Sequence, residues 1–323
     1  MKRSWLTALW LLGAVVLASG AHAQSYPARA IKVLVPAGPG SAPDLRARQI
    51  GAKLSDAFGQ PVVIENRPGG NYIIAAEAAA RAPADGYTLF LGNSVTHSTN
   101  PALFKKLPYR PEEDFLPVTL VTAAPFIVVI NAKVPANNFT ELLDLARKQP
   151  GKLAYASSGL GSPSHVLMEQ IKIAAGVDFA HVPYKATGAE IPDLIAGHIA
   201  VGFNFWSILA AHVKTDKLKA LAVASPRRLA AVPQIPTLAE VGLPGIEMSA
   251  WQGIFVPAQT PKAIVARLHA EIARILALPE IHDQIVEAGT EVGGNTPEEF
   301  AEFVRVDRAR MKRAIEQAGI AAE

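Results

Sequence analysis

Residues 31–44 read IKVLVPAGPGSAPD, an apolar run from Ile31 to Val35 broken only by Lys32, then a Gly/Pro loop. Asp44 to Phe58 follows with the spacing of an amphipathic helix. A short buried strand, a polar turn and a helix make one βα unit. The unit recurs as strand Val62–Glu65, helix Tyr72–Ala82 and strand Thr88–Leu91. Pro117–Ala123 and Phe126–Ile130 then read as two strands joined through Ala124-Pro125.

A second series follows: helix Phe139–Lys148, strand Leu153–Ala156, helix Ser164–Ala175, strand Phe179–Val182, helix Gly188–Ala196, and strands Ile199–Phe203 and Leu218–Ala224. Alternation of this kind predicts an α/β fold with mostly parallel sheets. Trp251–Val256 reads as a strand returning to the first lobe. Two α/β lobes with a central cleft and two strand crossings are therefore expected. Residues 24–122 with 250–323 would form one lobe and 123–249 the other, hinged near Thr122–Pro125 and Ser249–Trp251. Thr296-Pro297-Glu298-Glu299 predicts a capping box at the last helix, and Thr260-Pro261 predicts a capped start for the helix before it.

The chain opens with Lys2 and Arg3, an apolar run from Trp5 to Leu17, and Ala21-His22-Ala23. This is the pattern of a secretory signal peptide cut after Ala23. The run falls short of the roughly 20 apolar residues that span a bilayer. Export argues against NTP-driven and nucleic-acid functions. Without Lys2 and Arg3, the 31 basic residues fall to 29 against 28 acidic, and no Lys/Arg run marks a nucleic-acid face. The chain has no cysteine. Disulfide staples and an N-terminal lipid anchor are thereby excluded, and stability must come from buried apolar area.

Four glycine-bearing polar loops fall just after strands, where helix N-termini present free N–H groups to ligands. The first is Pro36–Asp44, with Gly40, Ser41 and Asp44; it matches neither a dinucleotide fingerprint nor a P-loop. The second, Gly92–Asn100, holds Ser94, Thr96 and His97. The third, Ser157–His165, holds Ser158, Gly161, Ser162 and His165, with Ser162 as helix cap and Pro163 after it. The fourth, Tyr184–Gly188, holds Lys185, Thr187 and Gly188. Turn and cap chemistry alone would explain any one of them. Together, split between two lobes, they suit a small anion such as a carboxylate.

Ser162 or Ser164 with His165 raises the rival of a secreted hydrolase, although no G-x-S-x-G elbow is present. The eight histidines show no H-x-x-x-H spacing, so neither metal nor cofactor is expected.

The stretches YPARAIKVLVPAGPGSAPDLRAR, QPVVIENRPGG, APADGYTLFLGNSVTHSTNPALFKKLPYRPEEDFLPVTLV, KLAYASSGLGSPSH, HVPYKATGAEIPDLIAGHI and WQGIFVPAQTPK resemble, in order, the Bug family of periplasmic solute receptors. The resemblance implies a type II periplasmic binding fold that closes on a small carboxylate without chemistry. It implies delivery to the membrane subunits of a tripartite tricarboxylate transporter; a ligand-sensing adaptor for a sensor kinase is a separate alternative. The residues named in the four loops would be the ligand contacts.

The chain departs from the family pattern in three places. The first loop lacks the usual aromatic, which is Ala37 here. The usual Ala-Gly-Gly after Gly69 becomes Gly70-Asn71-Tyr72. A family Phe-Asp-Asn becomes Phe203-Asn204-Phe205, followed by Trp206. Asn204 removes a negative charge that commonly faces the ligand. Tyr72, Phe205 and Trp206 would suit a ring-bearing carboxylate, or else pack in the core.

Overall fold

The computed structural model describes residues 26–320. The signal peptide expected over residues 1–23 lies outside them. The first sheet contains β1 (Ile31–Val35), β2 (Val62–Asn66), β3 (Thr88–Asn93), β4 (Phe115–Pro125), β10 (Ser249–Pro257) and β11 (Glu291–Val292), in the order β11-β4-β10-β3-β1-β2. The second contains β5 (Ile127–Asn131), β6 (Ala154–Ser157), β7 (Ala180–Pro183), β8 (Val201–Asn204) and β9 (Leu218–Val223), in the order β7-β6-β8-β5-β9. The helices are α1 (Ala42–Phe58), α2 (Ile73–Ala80), α3 (Asn100–Leu103), α4 (Phe139–Lys148), α5 (Pro163–Ala175), α6 (Ile191–Ala196), α7 (Trp206–Val213), α8 (Lys262–Leu276), α9 (Pro279–Glu287) and α10 (Pro297–Gln317).

Strand alternation sorts the core into layers. Val33 and Val35 face one side of the first sheet with Ile50 and Leu54 of α1 and Leu268 and Ile272 of α8. Leu34 faces the other side with Ala75 and Ala76 of α2 and Phe300 and Val304 of α10. In the second sheet Val128 and Ile130 join α4 and α5, whereas Ile127 and Val129 join α6 and α7. Period-2 burial on both faces is the mark of a sheet sandwiched by helices.

The sheets are mixed rather than mostly parallel. β1 pairs in parallel with β2 and β3, and β6 with β7 and β8. β10 runs antiparallel between β3 and β4, and β5 runs antiparallel between β8 and β9. The chain switches lobes through these strands, and a switching strand arrives from the opposite direction. The two crossings are laced together: Ser249 pairs with Pro125, and the Phe126 N–H donates to the Met248 carbonyl at 3.0 Å.

Three local expectations need correction. Thr260 does not cap α8; its hydroxyl donates back to Pro257 O at 2.7 Å, and the helix begins at Lys262. α6 starts at Ile191, not Gly188, because Gly188 takes the left-handed φ of 89° in a preceding turn. Residues 250–323 do not all serve the first lobe, since Met311, Ala314 and Ile315 of α10 are buried in the second lobe's core. The capping box at Thr296 and Glu299 is present with both reciprocal hydrogen bonds.

Candidate ligand-binding site

The polar loops sit at the carboxyl ends of the parallel strands and touch one another in sequence. The first loop leaves β1 and is held by Asp44. Its buried carboxylate accepts from Gly40 N–H at 2.8 Å, from Asn66 Nδ2 at 2.9 Å and from Arg48 through Nε at 3.0 Å. These bonds, Arg48 first, hold the Asp44 carboxyl down at about 2. Asp44 was expected to contact the ligand, but its acceptor sites are used to fold the loop. Ser41 likewise donates to Gly38 O at 2.7 Å, and Gly40, at φ 78°, is exposed.

After β2 the backbone stays in the left-handed region from Gly69 through Tyr72, with φ of 114°, 53°, 53° and 69°. Gly69 and Gly70 take this at little cost, whereas Asn71 and Tyr72 carry about 1 kcal/mol or more of strain each. The strain is opposed by Asn100 Nδ2, which donates to Asn71 O at 2.9 Å and ties this turn to the second loop. Tyr72 is half-buried.

The second loop is a single π turn, Val95–Thr99, and it is rolled inward. Thr96 Oγ1 donates to Asn93 O and contacts His97 Nδ1 at 2.8 Å. The His97 ring is fully buried, stacked on Phe255 at 3.9 Å and flanked by Phe90, Phe115 and Trp251. Burial drives its pKa down to about 3, so the ring is neutral. Thr96 and His97 are therefore core residues, contrary to expectation, and Ser94 is 4% exposed. Gly92 makes the stack possible, because a Cβ there would lie 2.7 Å from both rings.

In the second lobe, the third loop leaves β6. Ser162 caps α5 by accepting from His165 N at 3.4 Å, as the Ser-Pro sequence predicts, and Gly161 N donates to His165 Nδ1 at 3.0 Å. Ser158 N donates to Ser164 Oγ at 3.1 Å. His165 stacks on His181 at 4.3 Å, and burial lowers the pKa of both rings. The close Ser–His side-chain pair here is Ser157 with His181 at 2.6 Å, which the sequence reading missed. Its signal lay in the parallel register, which sets Tyr155 opposite His181. The Ser157 hydroxyl is also bonded to Gly159, and no carboxylate backs His181 with a hydrogen bond among the described residues. The arrangement is a loop clasp.

The fourth loop keeps Lys185 and Thr187 exposed, and Tyr184 OH donates to Asp193 at 2.6 Å. Asn204, at the end of β8, is fully buried and donates to Glu190 Oε1 at 2.6 Å. Phe205 packs on Phe126 at 4.7 Å, and Trp206 is 6% exposed in the α6–α7 core layer. Of the three aromatic candidates, Trp206 is thus a packing residue.

The loops meet across the lobes. A Cβ on Gly161 of the third loop would lie 3.4 Å from the Leu103 methyls, at the end of the helix that follows the second loop. Asn66 donates to Ala37 O, joining the β2 end to the first loop. The Tyr184 N–H donates to Ser157 O at 2.8 Å, joining the fourth loop to the third. These contacts link the strand-end loops in turn from Ala37 to Asn204. Among the described residues no group of three or more His, Cys, Asp or Glu could hold a metal.

Two α/β lobes, paired crossing strands and a rim of helix-start loops define a two-lobed solute-binding protein. Residues 46–320 match the model of the tripartite tricarboxylate transporter family receptor, and the chain belongs to that family. Protein BugT of Bordetella pertussis is 31% identical over 94% of this chain and 93% of its own length. The solved structure of Rpa4515 from R. palustris with adipate aligns at TM-score 0.77 and 33% identity, covering 92% of this chain and 99% of that one. MatC from Rhodopseudomonas palustris with bound malate aligns at 0.72 and 32%, covering 90% and 100%. The fold is the type II periplasmic binding fold. The chain is a solute receptor and not an enzyme, which removes the hydrolase alternative.

Proposed function

We propose that this protein is an exported periplasmic receptor that closes on a small organic carboxylate and presents it to the membrane subunits of a tripartite tricarboxylate transporter. The observation that carries this reading is the linked rim of strand-end loops drawn from both lobes. Its exposed Lys185 and Thr187, and the start of α5 at Ser162, offer donors and positive charge while the acidic Asp44 is turned inward. Similar receptors bind adipate and malate, as their structures state. The basic-apolar-small pattern of residues 1–23 supports export. In this reading the ligand is gripped by contacts completed only when the lobes close, which shifts an open–closed equilibrium.

A thermal-shift and calorimetry panel of succinate, glutarate, adipate, malate, citrate, glutamate, phthalate and terephthalate tests it. Ligand at about 100 times its Kd adds about 2.7 kcal/mol of stability, an easily read shift. Silence across the whole panel would overturn the assignment. Heat from the two ring-bearing acids alone would assign the half-buried Tyr72 and Phe205 to an aromatic pocket.

A further inference from the structure

Glu190 is 3% exposed, and Asn204, its one side-chain partner, is 0% exposed. Asn204 Nδ2 donates to Glu190 Oε1 at 2.6 Å, while Oε2 is buried without any hydrogen-bond partner. No Lys, Arg or His nitrogen lies within 4.0 Å of this carboxylate among the described residues. A buried carboxylate with one neutral amide partner is expensive to keep, and a cation or strong donor offsets the cost.

The position of the pair says where that donor comes from. Asn204 ends β8, the central strand of the second sheet, and Glu190 follows the fourth loop by two residues. Burial, then Asp193 and then Glu190, push up the Tyr184 phenol at the start of that loop. Ala186 and Thr187 of that loop are exposed, and neither side chain holds the loop to the body.

Resting on the receptor reading, we propose that Glu190 is the acceptor for a positively charged amino group of the ligand, so that the cleft selects amino-carboxylates over plain dicarboxylates. The N–H and O–H groups of the rim would hold the carboxylates. The ammonium would reach Oε2 as the fourth loop settles on the ligand. Asn204 fixes the carboxylate from behind and is a positioning residue.

Calorimetry on matched pairs tests this: L-glutamate against glutarate, L-aspartate against succinate, and 2-aminoadipate against adipate. The wild-type chain is expected to favour the amino member of at least one pair about tenfold or more, the size of one charge-assisted hydrogen bond. Glu190→Gln keeps the shape and the Asn204 contact and is expected to bring that pair within about threefold. Glu190→Gln with Asn204→Asp moves the acid across the same hydrogen bond and is expected to restore part of the preference. If the diacids bind and the amino members do not, or if Glu190→Gln keeps the preference, this inference fails and the carboxylate reading stands. If neither class binds, both fail.

Discussion

The Trp251 indole N–H donates to Asp307 Oδ2 at 2.7 Å, which ties a crossing strand to the last helix at the point where the lobes part. Ser98 of the inward-rolled π turn donates to the same oxygen at 2.6 Å, and Arg310 bonds Oδ1 at 2.9 Å. Arg310 also pairs with Glu247 beside the second crossing. One buried carboxylate thus gathers the second loop, the hinge strand and α10. Asp307→Ala strands three donors, one of them charged, and is expected to cost about 3 to 5 kcal/mol. Asp307→Asn keeps an acceptor and is expected to cost less. Urea unfolding of the two variants gives the order, and equal losses would show that the charge is irrelevant.

Gly92→Ala tests the buried ring stack. The added methyl would sit 2.7 Å from His97 Cε1 and from Phe255 Cδ2. Neither ring can yield in a packed core, so a loss of about 1 to 3 kcal/mol is expected. Thermal unfolding checks it, and an unchanged Tm would mean the stack is not tight.

His97 sets an acid limit on stability. Its folded pKa of about 3 lies below the ordinary 6.5, so as pH falls the unfolded chain takes up this proton first. The stability conferred by the neutral ring is complete above about pH 6.5. It then declines by on the order of 1 kcal/mol per unit until about pH 3. His97→Phe, which can still stack on Phe255, is expected to flatten that slope. Urea midpoints at pH 7, 5.5 and 4 for both proteins provide the comparison, and parallel slopes would exclude His97 as the source.

Asp44 works in a lower window. Its folded pKa of about 2 is below its unfolded value of 3.8. Its contribution is present above pH 3.8 and is lost as pH falls toward 2. Asp44→Asn is expected to loosen the first loop at neutral pH and weaken ligand binding, without altering the helix core beneath it. Amide exchange of Gly40 and Ser41 with and without ligand reports this, and unchanged protection would mean the loop is held by other contacts.

Thr296→Ala removes one half of the capping box and is expected to cost about 1 kcal/mol. Thr260→Ala removes only a bond to Pro257 and no helix cap. Helical content at the last helix should respond to the first change and hold through the second.

Much of this architecture was legible in the sequence because it rests on short-range patterns. Alternation placed the strands, Ser162-Pro163 and Thr296-Pro297 marked two helix starts, and Trp251–Val256 announced the return crossing. Orientation was less legible. Thr96 and His97 have the composition of a binding loop, yet the π turn rotates them into a cavity that Gly92 opens, and no local pattern encodes that rotation. Asp44 looked like a contact because its type and position suit one. Its commitment to Gly40, Arg48 and Asn66 depends on β2 lying beside β1. Thr260 failed as a cap because Pro261 starts in an extended conformation that turns the hydroxyl backward. Glu190 and Asn204 lie 14 positions apart, and only the sheet brings them together.

The last helix is anchored by Phe300 and Val304 in one body and by Met311, Ala314 and Ile315 in the other. At 21 residues it is a rod of about 32 Å. A rod embedded at both ends cannot follow a wide swing without either flexing or dragging a core methyl out of place. In a receptor that closes on its ligand, such a rod would favour a small-amplitude rocking of one lobe on the other. Shortening the rod from its far end would release that restraint and leave the two halves free to gape.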